Sequence, residues 1–241
     1  MSTNLPSAQD PQGGSGAMFD RIAERYDLMN RLISFGLDKS WRKKLLKALN
    51  LQPGEALLDV ATGTADVAID ACKSIERLTA VGLDPSVGML GVGQRKVQEA
   101  NFQSRIELVE GDALDMPFED NRFHATCVSF GIRNFPDRLQ GLREMTRVVR
   151  PGSRVVVLEL SEPRKGLLAP FARMHIHNVV PLLGSLLSGD REYAYLAKSI
   201  RAFPPPEDFA ALMTEAGLID VGFTPMTFGV AHLYVGTKPE A

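Results

Sequence analysis

Cysteine is scarce in this chain: Cys72 and Cys127 are the only two in 241 residues, each in an apolar setting with no His or Cys at ligand spacing. That argues against a disulfide framework and a cysteine-based zinc site, and implies reduced core thiols in a cytoplasmic protein. An excess of either charge is missing too. Lys and Arg number 27 against 29 Asp and Glu, a formal net charge of -2, so the basic field that nucleic acid requires is absent. No apolar run of about twenty residues offers a membrane span, and no basic-then-apolar N-terminal pair marks a secretory signal. What is plentiful is apolar residue, 44% of the chain, enough for one full core of α/β type in a single domain.

The most informative stretch is ALLDVATGTAD at 56–66. An apolar run, Leu57-Leu58-Asp59-Val60, meets a turn of small residues, Ala61-Thr62-Gly63-Thr64-Ala65, and then the helix-like Asp66-Val67-Ala68-Ile69. That reads as strand, tight turn, helix. Small residues let a ligand approach the backbone, and amides opening a helix can bind its polar groups. A dinucleotide fingerprint needs three glycines, whereas the corresponding positions hold Gly63, Ala65 and Ala68, with the acid Asp59 before the turn. A carboxylate there repels a pyrophosphate and suits an ammonium. S-adenosylmethionine has that ammonium and no phosphate, which makes it the expected ligand, with Ala61, Gly63 and Thr64 as its cradle.

The same unit recurs. Strands are expected at 78–83, 105–109, 125–130 and 154–160, with helices at 87–100 and 139–149, the latter closed by Pro151-Gly152. Such alternation implies parallel strands with right-handed crossovers, whose ligands bind beyond the carboxyl ends of the strands. Asp84 closes the second strand, where a ribose-binding carboxylate belongs, and Asp112 with Ala113 closes the third, in reach of an adenine amino group. Met89 and Ser129 complete the expected cofactor set. A helix at 207–216 and two last strands, 221–223 and 231–236, form a closing antiparallel hairpin, which suits a methyltransferase sheet better than a dehydrogenase one.

Two segments flank this frame. Residues 1–17 are Ser, Pro, Gln and Gly with little to bury, a disordered tail ahead of one domain over 18–241. In FDRIAERYDLMNRLIS, apolar residues recur at helical intervals, and Tyr26, Asp27 and Asn30 are placed to close over a ligand as a flap. Residues 162–202 break the rhythm with Pro163, Pro170, Pro181 and the greasy NVVPLLGSLLSG. This insertion is expected to be a helical lid over the site, with packed helices, an apolar substrate cover and a peripheral membrane contact as its three readings.

YDLMNRLISFGLDKSW, VSFGIRNFPD, RVVRPGSRVVVLELSEP and REYAYLAKSIRAFP together resemble the ubiquinone and menaquinone biosynthesis C-methyltransferases, from Phe19 to Lys238. The resemblance implies a Rossmann-like class I S-adenosylmethionine-dependent methyltransferase: a seven-stranded, mostly parallel sheet, helices on both faces, and the lid. It implies C-methylation of a polyprenylated quinol, first demethylmenaquinol, with the ubiquinone-pathway benzoquinol as alternative. Arg133 and Asn134 would be catalytic, and Tyr26, Asn30, Tyr195, Ser199 and Arg201 would bind substrate. No metal is implied; a homodimer and a peripheral position at the inner membrane face stay open. His175, His177, Tyr26 and Asp38 are the candidate proton acceptors. The chain departs from the family pattern at Asp38 (His), Ala65 (Gly), Arg150 (Lys) and Ser153 (Gly), and near Phe171. From other classes, the alternatives are a non-methylating S-adenosylmethionine-binding relative and a nucleotide-dependent dehydrogenase.

Overall fold

Apolar runs too short to be helices and buried on both sides pair into a parallel sheet, and the periodic segments between them cover its faces. The computed structural model describes residues 19–20, 23–24, 26–27, 30–31, 34, 36–161, 195 and 198–240. The expected tail at 1–17, and the lid apart from residue 195 and residues 198–202, lie outside the described residues.

Seven strands, β1 (Ala56–Val60), β2 (Thr79–Asp84), β3 (Ile106–Glu110), β4 (Phe123–Ser129), β5 (Val149–Leu160), β6 (Ile219–Met226) and β7 (Ala231–Thr237), form one sheet in the order β3-β2-β1-β4-β5-β7-β6. The first five run parallel; β7 pairs antiparallel with both β5 and β6. The order reverses at β1, with β2 on one side and β4 on the other, the place where open sheets of this kind bind ligands at their carboxyl ends.

Alternation along β1 splits the core in two. Leu57 faces a cluster with Trp41, Leu45 and Leu49 of α1 (Asp38–Leu49), Val67 and Ala71 of α2 (Asp66–Ser74), and Val97 of α3 (Val87–Glu99). Leu58 and Val60 face the other, with Leu142 and Met145 of α4 (Arg138–Val148) and Phe209 and Met213 of α5 (Pro206–Glu215). Helices therefore cover both faces, as expected of the fold class.

Most boundaries fall within about two residues of the sequence expectation, and β5 and β6 differ by more. β5 starts at Val149, ahead of Pro151-Gly152, because Val149 pairs with Phe123 and the Gly152 N–H donates to the Lys238 carbonyl at 2.9 Å. Gly152, at φ +73, makes an irregularity in a strand rather than a helix stop. β6 is longer than 221–223 because it is an edge strand with most side chains exposed, which erases the apolar alternation that would reveal it.

Candidate active site

The turn after β1 is built from left-handed residues. Ala61, Gly63 and Ala65 have φ of 52, 56 and 64, a conformation that costs an alanine roughly 1–2 kcal/mol. The turn is pinned from beneath. The Thr62 hydroxyl donates to Asp59 Oδ2 at 2.6 Å, Cys127 Sγ lies 3.6 Å from Asp59 Oδ1, and Asp59 is only 1% exposed. Burial raises the Asp59 carboxyl to about 7, against the hydrogen bonds from Thr62 and Cys127. The structure thus seats Asp59 under the turn.

Asp84, at the end of β2, takes the Gly63 N–H on Oδ2 at 2.8 Å and the Ser86 N–H on Oδ1 at 2.9 Å. Burial raises its pKa, against those two bonds. A methyl group at Gly63 would meet only the Met89 terminal carbon at 3.6 Å and Tyr26 Cε1 at 4.0 Å, so Gly63, Met89, Asp84 and Tyr26 border one space. Asp112 is exposed, its Oδ1 taking the Leu114 N–H at 2.9 Å, with Ala113 buried behind it.

The N-terminal residues lie across this turn and are tied down by polar contacts. Asp20 Oδ1 accepts from the Ser86 hydroxyl at 2.6 Å and the Gly88 N–H at 2.8 Å, supplementing the Ser86 cap of α3. Asp27 takes the Thr64 hydroxyl at 2.7 Å and Lys96 Nζ at 2.7 Å. Tyr26 packs edge-on against Phe19, centroids 6.0 Å apart, and its phenol bonds Asn30. Burial pushes that phenol up while Arg133 and Asn30 pull it down; the net shift is upward, so Tyr26 is a neutral hydroxyl at neutral pH.

At the end of β4, Ser129 has a buried hydroxyl that, among the described residues, has no hydrogen-bond partner. Gly131 fits against the first turn so closely that an added Cβ would lie 2.6 Å from that of Ala61. The short helix Ile132–Asn134 follows. Arg133 Nη1 pairs with Glu159 Oε1 at 2.9 Å and also donates to the Phe130 carbonyl, while the Arg133 N–H donates to Glu159 Oε2 at 3.1 Å. Arg133 is 8% exposed and Glu159 0%. Burial opposes the charge on Arg133, but Glu159, with Tyr26 and Tyr195, more than offsets it and its pKa lies above the ordinary value. The Tyr195 hydroxyl donates to Asn134 Oδ1 at 3.2 Å, joining two residues 61 positions apart.

Of the sequence candidates, Tyr26, Asp84, Arg133, Asn134 and Tyr195 are linked by these contacts and electrostatic couplings. Ser199 is buried and Arg201 exposed on the helical residues 198–202. Asp38 is engaged by Arg42 Nη1 at 2.8 Å and the Ser34 hydroxyl at 2.8 Å, and His175 and His177 lie outside the described residues. Two residues escaped the sequence reading: Glu159, whose sequence signal was an acid inside the apolar run VVVLEL, and Arg138, which donates Nη2 to the Arg133 carbonyl at 3.1 Å.

The residues present fit S-adenosylmethionine: a turn lined by backbone, a buried carboxylate at the second strand, a thioether wall at Met89 and an unpartnered Ser129 hydroxyl. Solved structures share the architecture. The chain superposes on an S-adenosylmethionine-dependent methyltransferase from Aquifex aeolicus with a TM-score of 0.62 at 17% identity, over 90% of this chain and 97% of the other. It superposes on the [4+2]-cyclase SpnF at 0.72 and 16%, over 98% and 99%, so the likeness speaks for the fold and not for one reaction.

Sequence likeness is narrower. The chain is 42% identical over 222 residues to the ubiquinone/menaquinone biosynthesis C-methyltransferase UbiE of Geobacter sulfurreducens, over 92% of this chain and 87% of the relative. It is 40% identical over 231 residues to the demethylmenaquinone methyltransferase of Bacillus cereus strain B4264, over 93% and 95%. The profile of the ubiE/COQ5 methyltransferase family matches residues 8–238, so the first turn, the flap and the Arg133 corner fall within one shared pattern, and the chain belongs to that family.

Proposed function

We propose that this enzyme C-methylates a ring carbon of a polyprenylated quinol with S-adenosylmethionine, and that demethylmenaquinol is its substrate. The observation carrying the reading is the buried Arg133 guanidinium, fixed by Glu159 at the end of β4, in electrostatic reach of Tyr26. S-adenosylmethionine supplies a sulfonium-bound methyl electrophile. A quinone carbon is a poor nucleophile, whereas a quinol that loses one hydroxyl proton concentrates charge on the adjacent carbon. With the donor held in the turn after β1, that carbon would take the methyl as the donor's thioether is released with the bonding electrons, and the ring carbon would pass its proton to solvent to restore the aromatic ring.

The chain's own residues serve that sequence. Asp84, Gly63, Met89 and Ser129 hold the donor, with Ala61, Thr64, Asp112 and Ala113 around it, and Asp59 acts through the turn it braces. Arg133 sets a permanent positive charge by the oxygen that becomes anionic, since guanidinium is no base. With Asn134 Oδ1 taken by Tyr195, its amide N–H groups serve as the donors to the substrate oxygen. Tyr26, being neutral, donates a hydrogen bond rather than accepting the proton. Asn30, Ser199 and Arg201 complete the substrate wall.

Exposed apolar side chains support a peripheral contact with the membrane that holds the prenyl tail. Val87 opens α3, Leu37 precedes α1, and Phe228, 70% exposed, follows Thr227, which accepts from Trp41 of α1. These positions flank the carboxyl edge of the sheet. Among the described residues no helix is long and apolar enough to cross a membrane.

The name of the Geobacter relative, which couples both quinones, favours the benzoquinol of ubiquinone synthesis as second substrate. Competition between short-tailed demethylnaphthoquinol and demethylated benzoquinol, read by mass spectrometry, tests the choice: preference for the naphthoquinol is expected, and exclusive benzoquinol methylation overturns it.

A further inference from the structure

Glu159 is a wholly buried acid with more donors than an ordinary ion pair. Its Oε1 accepts from Arg133 Nη1 at 2.9 Å and from the Leu160 N–H at 2.7 Å, and its Oε2 accepts the Arg133 N–H at 3.1 Å. The carboxylate thereby holds Arg133 by backbone and side chain at once. One carboxylate neutralises one guanidinium, yet a second guanidinium stands in its field. Arg138 donates to the Arg133 carbonyl, lies 5.6 Å over the Phe203 ring and has no carboxylate within ion-pair distance among the described residues. Burial lowers its pKa, with Glu159 and Tyr195 acting the other way.

Among the described residues, the Nε–H groups of Arg133 and Arg138 are both buried and both without a hydrogen-bond partner. A buried donor left unpaired is costly, and a surplus buried positive charge more so. Two such donors, on side chains tied together by the bond from Arg138 to the Arg133 carbonyl and both in the field of Glu159 and Tyr195, describe a place prepared for an anion that arrives with the substrate.

We infer that Arg133, held by Glu159, and Arg138, held on the Arg133 carbonyl, form a two-guanidinium pocket that takes the ionised oxygen of the acceptor ring, with Glu159 as the positioning residue. This rests on the quinol reading above. It adds a second cation to the site and gives the two basic residues separate duties: Arg133 is locked in place, and Arg138 supplies the charge that Glu159 does not cancel.

The test uses the full-length enzyme saturated with S-adenosylhomocysteine and 4-nitrophenol, a phenol whose ionised form is yellow and which titrates near neutrality. The expected result is that the wild type binds the phenolate in preference, lowering the apparent pKa of the bound dye. Arg138→Gln keeps a donor for the Arg133 carbonyl but removes the charge; it is expected to weaken phenolate binding roughly tenfold and abolish the shift. Arg138→Lys retains part of it. Glu159→Gln is expected to keep or strengthen phenolate binding, because charge is subtracted, while kcat for the quinol falls with KM for S-adenosylmethionine unchanged, because Arg133 is no longer fixed. A scaffolding role for Arg138 predicts no change in the dye's ionisation. A wild type that does not bind the phenolate, or an unaltered shift in Arg138→Gln, overturns the inference. Failure of the quinol reading shows separately, as an absence of methyl transfer by the wild type to demethylnaphthoquinol.

Discussion

Replacing Arg133 by Met strips one partner from a pair whose side chains are 6% and 0% exposed. The Glu159 carboxylate keeps the Leu160 N–H but loses the guanidinium that neutralised it. A charge left unpaired at such depth costs about 3–5 kcal/mol. In a chain of this size each kcal/mol moves Tm by about 2–4 °C, so a fall of roughly 6–20 °C is expected. Removing both charges in Arg133→Met/Glu159→Gln should recover most of that loss, since no buried charge remains stranded, while activity stays down by about 10²–10³ in kcat because the charge at the developing oxyanion is gone. Urea denaturation of wild type, both single variants and the double gives the cycle. A single-variant loss below about 1 kcal/mol, or additive singles, would refute the claim that this pair is both buried and coupled.

Three further outcomes follow from the geometry. Asp59 has a folded pKa near 7, above the roughly 3.9 of an unfolded aspartate, so its stabilising contribution is full below about pH 4 and is lost as pH rises to 7, up to about 4 kcal/mol in all; Asp59→Asn should flatten the fall in stability between about pH 4 and 7, measured by urea titration, and an unchanged slope would count against the assignment. Gly131→Ala forces its Cβ to within 2.6 Å of that of Ala61, so affinity for S-adenosylhomocysteine, read by calorimetry, should drop about tenfold with about 1–3 kcal/mol of lost stability; unchanged affinity would mean the turn yields freely. Tyr195→Phe deletes the 3.2 Å bond to Asn134, and kcat should fall about two- to tenfold with cofactor affinity intact; a loss confined to cofactor affinity would contradict the placement of Tyr195 on the acceptor side.

How far the sequence spoke depended on whether its signals were local. The β1–turn–α2 unit, the crossovers and the closing hairpin rest on periodicity and small residues within a few positions, and each is present in the fold. The Arg133–Glu159 pair joins positions 26 apart through a sheet neighbour, and an acid in VVVLEL looks like any strand end until β4 is laid beside β5. Asp20 on the first turn of α3 is a 66-residue contact with no local trace. The left-handed φ of Ala61 and Ala65 escaped notice because alanine does not advertise that conformation as glycine does. Asp59 was legible as an acid at the turn but not as one seated beneath it, since burial depends on Thr62 and Cys127 closing around the carboxylate.

The central claim is best tested by one measurement: transfer of labelled methyl from S-adenosylmethionine to a short-tailed demethylnaphthoquinone, with and without a reductant, with the labelled position located by mass spectrometry. The account predicts label on the ring carbon beside a hydroxyl, only under reducing conditions. Label on oxygen, label without reductant, or no label from protein that binds the cofactor would contradict it.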